Sequence, residues 1–197
     1  YIHDIDVGIQ LALYKDPDAD TPSNNVIESN TFENMVNADD PANDPDDGSW
    51  YYGILLQAKD TAIIYNEFIG GGDTEFGVLV TDSITAYGTG NRDISGNTIN
   101  YNKIAGYTKA GVAETEDYYD DLTTSGYSVD ATRNWWGDQS PSDQVMNNVS
   151  YDPWTNILVD DDFDNSTSGW QSTHFATIQN AIDEATSGDI ISVAAGI

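Results

Sequence analysis

The chain of 197 residues carries six Lys and Arg against 34 Asp and Glu, a formal net charge of −28. Such a surface repels phosphate backbones and anionic headgroups, which excludes nucleic-acid binding and charge-driven membrane docking. Zero cysteines exclude disulfides, zinc–thiolate centres and cysteine nucleophiles, and no apolar run is long enough for a membrane span.

From the N-terminus two short patterns alternate. The first, an apolar residue, Gly and then apolar residues, occurs as Val7-Gly8-Ile9-Gln10-Leu11, Tyr52-Gly53-Ile54-Leu55-Leu56 and Phe76-Gly77-Val78-Leu79-Val80, and more weakly as Ala110-Gly111-Val112-Ala113. The second, apolar-x-x-Asn-x-apolar, follows each copy as Ile27…Asn30…Phe32, Ile63…Asn66…Phe68, Ile94…Asn97…Ile99 and Ala131…Asn134…Trp136. Strict alternation of two motifs is the mark of a solenoid, in which each repeat is one coil. Gly53 and Gly77 are 24 residues apart, a natural circumference for a coil of two or three short strands. Period-two alternation then puts Val7, Ile9 and Leu11 on one face, with Tyr52, Ile54 and Leu56, and Phe76, Val78 and Val80, in the same places. An asparagine at a coil corner can bond its own turn and the asparagine of the next coil, so Asn30, Asn66, Asn97 and Asn134 are expected to form a buried ladder.

The longer intervals hold loops rich in Asp, Pro and Gly. Asp16, Asp18 and Asp20 place carboxylates on alternating positions, as hard-ion loops do, without the Gly and Glu of an EF-hand. Asp44, Asp46 and Asp47, and Asp160, Asp162 and Asp164, are comparable clusters, so Ca²⁺ is the expected metal. Asn148-Val149-Ser150 and Asn165-Ser166-Thr167 are glycosylation sequons at Asn148 and Asn165. Farther on, Phe175, Ile178, Ala181, Ile182 and Ala185 share one face of a short amphipathic helix over Thr177 to Ala185. Gly188 ends it, and Ile191 and Val193 begin a strand.

These coils resemble the right-handed parallel β-helix family that includes pectate-lyase-like and periplasmic copper-processing-type repeats. Asn134-Trp135-Trp136-Gly137 resembles the segment that closes many such solenoids, and Tyr151-Asp152-Pro153-Trp154 the short strand after it. Val159-Asp160-Asp161-Asp162-Phe163 through Gly169-Trp170, then His174 to Asp183 and Ser187 to Val193, resemble the opposite, opening end, where a helix lids the first coil. The resemblance implies an all-β, right-handed parallel β-helix with one short capping helix. It divides the chain into coils at 1–154, an acidic linker at 155–169, and at 170–197 the helix and first strand of a following solenoid.

The family includes large secreted surface proteins of archaea and bacteria, so an extracellular, cell-surface structural protein is expected rather than an enzyme. The basic pairs and the Gly-His-Gly motif of the hydrolases are absent from the sequence. A start at Tyr1 without Met or leader suggests a processed subunit or an excerpt. An unlidded first coil and a lid-like helix at the other end predict head-to-tail contact between copies of the chain, with Phe175, Ile178 and Ile182 at the junction. The alternative is a carbohydrate-binding or polysaccharide-cleaving β-helix, with Trp50, Tyr51, Tyr52 and Tyr118 as stacking platforms.

Overall fold

The computed structural model describes residues 2–3, 7–11, 21–33, 35, 52–71, 74–82, 92–116, 123–137 and 140–194. Their architecture is all-β with parallel pairing and one short helix, in two compact units, Tyr1–Tyr151 and Asp152–Ile197.

In the first unit, β1 (Ile2–His3) is followed by three three-strand coils. These are β2 (Val7–Leu11), β3 (Val26–Glu28) and β4 (Thr31–Glu33); β5 (Tyr52–Leu56), β6 (Ala62–Ile64) and β7 (Glu67–Ile69); and β8 (Phe76–Thr81), β9 (Thr98–Asn100) and β10 (Lys103–Ala105). Then come β11 (Ala110–Thr115), β12 (Val129–Asp130), a 3-10 turn at Pro141–Asp143, β13 (Val145–Met146) and β14 (Val149–Ser150). Each coil adds one strand to each of three parallel sheets, ordered β1-β4-β7-β10, β13-β11-β8-β5-β2 and β14-β12-β9-β6-β3. Ile9, Ile54, Val78, Val112 and Val145 stand in one column by register, as the glycine pattern predicts.

The glycines explain that register. A β-carbon at Gly53 would lie 2.8 Å from the Gly77 carbonyl oxygen and 3.1 Å from the Phe68 ring. Gly8 packs in the same way against Phe32, Gly77 against Tyr107 and Gly111 against Trp136. Each coil therefore accommodates one aromatic ring because the facing residue has no side chain. The Phe32 and Phe68 rings stack at 4.7 Å, and Ile104 follows them in register on the next coil.

Strict alternation along these strands does not hold. Tyr52 packs with Leu55 rather than with Ile54, in a second cluster with Phe76, Leu79, Ala110 and Ala113, against which Met146 rests. A spacing of three requires a break in the two-residue period, and the glycine step is where the backbone permits one. Strands β5, β8 and β11 are consequently buried on both faces.

The second unit holds β15 (Ile157–Val159), β16 (His174–Phe175), α1 (Ile178–Glu184) and β17 (Ile191–Val193). β15 is the central strand of a parallel sheet ordered β16-β15-β17, although it falls within the stretch 155–169 that reads as an acidic linker. Ile157, Val159, Phe175 and Ala181 make the core, with Ala185 and Ile191 against it. The Thr177 side chain caps α1 by accepting the Asn180 N–H.

Candidate functional site

Two corners of the first unit carry polar ladders. At the corner before β4, β7 and β10, the Asn66 side chain accepts from the backbone N–H and the side-chain amide of Asn30 at 2.9 and 3.1 Å. Asn102 accepts the same pair of bonds from Asn66 at 2.8 and 3.1 Å, and Asn134 accepts them from Asn102. The ladder is thus Asn30–Asn66–Asn102–Asn134, and Asn97 is not part of it. Asn97 sits at the preceding corner, where it accepts the Thr61 N–H at 3.0 Å and donates to the carbonyls of Ala58 and Ile94. The six-residue template fits both corners, because both need a side-chain amide ahead of an inward apolar residue.

The residue before each ladder asparagine is left-handed: Ser29, Tyr65, Tyr101 and Arg133 have φ between 55° and 62°. These four residues project outward in one column. The Tyr65 and Tyr101 rings stack at 5.6 Å and 24°, and the Arg133 guanidinium lies 6.0 Å from the Tyr101 centroid.

A third feature lies at the rim of the β5-β8-β11 sheet. Thr81 and Thr115 are in register, which sets Asp82 beside Glu116 on the next coil. Asp82 is 7% exposed and its Oδ1 has no hydrogen-bond partner. Burial, then the Glu116 and Glu114 charges, pushes its carboxyl up to about 6. Glu114 is wholly buried and accepts from the Thr124 hydroxyl at 2.7 Å, the Ser125 N–H at 2.9 Å and the Ser125 hydroxyl. The Arg92 N–H donates to the Asp82 carbonyl, and the Glu116 N–H to the Thr123 carbonyl. This cluster can hold a proton near neutrality.

Asp16, Asp18, Asp20, Asp44, Asp46 and Asp47 lie outside the described residues, as do Trp50, Tyr51 and Tyr118. Asp160, Asp162 and Asp164 shape their own loop. Asp160 accepts the Asp162 N–H, and Asp164 accepts the Ser166 N–H and hydroxyl, which hold its carboxyl below the usual range. Among the described residues no three acidic or histidine side chains converge on a point where they could hold a metal ion. Tyr52 is buried and offers no stacking face.

Both sequon asparagines are exposed. Asn148 borders a depression of about 370 Å³ with Thr124, Gly126 and Asn147, and Asn165 sits in the turn after Asp164. Phe175 is buried in its own unit, so it is not available for an assembly contact, whereas Ile178 and Ile182 are 52% and 53% exposed. No described helix is long and apolar enough to cross a membrane. Compared with protein-family models, curated proteins and solved structures, the chain matches none.

Proposed function

We propose that this chain is a structural subunit or segment of an extracellular surface layer, sheath or filament, built by end-to-end stacking of β-helix units. The observation that supports this reading most directly is the second unit. It packs one capped helix on a parallel sheet, β16-β15-β17, and Ile178, Ile182 and Val193 stand half exposed on it. In the first unit, β1, β2 and β3 pair on one side only among the described residues, which leaves a strand edge able to accept another layer. A helix face from one copy over that edge of the next is a heterologous contact that does not close, and such contacts make fibres. The buried asparagines Asn66, Asn97, Asn102 and Asn134 are committed to bonds between and within coils, so they serve cohesion. The pectate-lyase-like resemblance, the extracellular setting and bridging of the acidic loops by Ca²⁺ belong to the same proposal.

The test is the double variant Ile178→Glu, Ile182→Glu in the full chain. Both side chains are outside the core, so the fold should be kept while sedimentation velocity shows polymers lost. Polymers unchanged by the double variant would refute the junction. A carbohydrate-binding role is the weaker reading, since the one described member of its expected aromatic set, Tyr52, is buried.

A further inference from the structure

The outward column Ser29–Tyr65–Tyr101–Arg133 carries an inference independent of the end-to-end reading. Non-glycine residues in left-handed backbone are uncommon, and bulky ones more so. Here two tyrosines take that conformation and stand 61% and 47% exposed. Tyr101 contacts both the Tyr65 ring and the Arg133 guanidinium. Tyr65 shares one face with Tyr101, and its other face looks toward the coil of Ser29, where no ring or guanidinium covers it among the described residues.

Charge decides what fits that face. Glu28 pairs in register with Ile64, immediately before Tyr65, and Glu67 follows two residues after it. Lys103 stands in register with Glu67 on the next coil, and Arg133, at the far end of the column, lies beside Tyr101. The open end is therefore an aromatic face flanked by carboxylates. It has the same chemistry that the chain itself satisfies with Arg133 at the other end of the stack. A second copy of this chain is a poor occupant of this face, because it has only six Lys and Arg to present.

We propose that the open face of Tyr65, with Glu28 and Glu67, binds an arginine or lysine side chain presented by a basic partner protein, through cation–π contact and charge pairing. The probe is a hexa-arginine peptide, titrated by calorimetry in about 0.5 M NaCl so that diffuse attraction to the acidic surface is screened. Tyr65→Phe should keep the affinity. Tyr65→Asn, which suits the left-handed backbone and so keeps the corner, should weaken it about fivefold or more, and Glu28→Gln about twofold. In the intact wild-type chain, the arginine δ-methylene protons should shift upfield on binding. Equal affinity of wild type and Tyr65→Asn, or no upfield shift, would overturn the proposal. So would Tyr65-dependent binding of neutral chitohexaose without binding of the peptide.

Discussion

Asn66 uses every polar atom of its side chain: it accepts from Asn30 and donates to the Ile27 and Ile64 carbonyls and to Asn102. Removing it strands buried groups on two coils, whereas Asn30, half exposed at the end of the ladder, strands fewer. Asn66→Ala should therefore cost on the order of 3 kcal/mol in urea unfolding and Asn30→Ala about 1. Similar losses at both positions would contradict the ladder. Asp82 makes a prediction of opposite sign. Its folded-state carboxyl is raised from 3.8 to about 6, so between those values the native chain binds more protons than the unfolded one. The contribution of Asp82 to stability is thus fullest at low pH and is lost as pH rises from about 4 to about 6. Asp82→Asn should stabilise the chain at pH 7 and make little difference near pH 4. Melting temperatures of the two proteins across that range check this directly.

At the scale of an element, the strands that carry glycine are held in place by what the glycine lacks. Gly53→Ala pushes a methyl group into the Gly77 carbonyl and the Phe68 ring, and overpacking of that kind costs about 1–3 kcal/mol. The measurement is the urea midpoint, and an unchanged midpoint would mean that the rings are not seated against the glycines. The same pairing explains what could be read from the residues beforehand. Gly8, Gly53, Gly77 and Gly111 mark strands, and Asn30, Asn66 and Asn134 mark corners, because each is dictated by a contact that recurs at every coil. Asn97 was ambiguous because Ile94…Ile99 and Ile99…Ile104 fit one template, and the 36-residue step from Asn66 to Asn102 is what separates them. Strand β15 is hidden by composition: three apolar residues run directly into Asp160, Asp161 and Asp162. On α1 the apolar stripe is wider than the contact. Small Ala181 and Ala185 approach the sheet, and Ile178 and Ile182 are left outside. Nothing in the sequence distinguishes Asp82 from the other acids, since its burial comes from the register of β8 with β11.

For the whole molecule, the net charge of −28 opposes any association of copies, end to end or side by side. At about 1 M salt the screening length falls to roughly 3 Å, and short-range apolar contact then decides the geometry. End-to-end stacking continues the solenoid, so its coil spacing of about 4.8 Å must lie along the polymer axis. Side-by-side packing would place that spacing across the axis. Fibre diffraction from polymers of the intact chain grown at high salt measures this orientation. The expected result is a meridional reflection at about 4.8 Å; an equatorial reflection at that spacing, or no polymer at any concentration, would contradict end-to-end assembly.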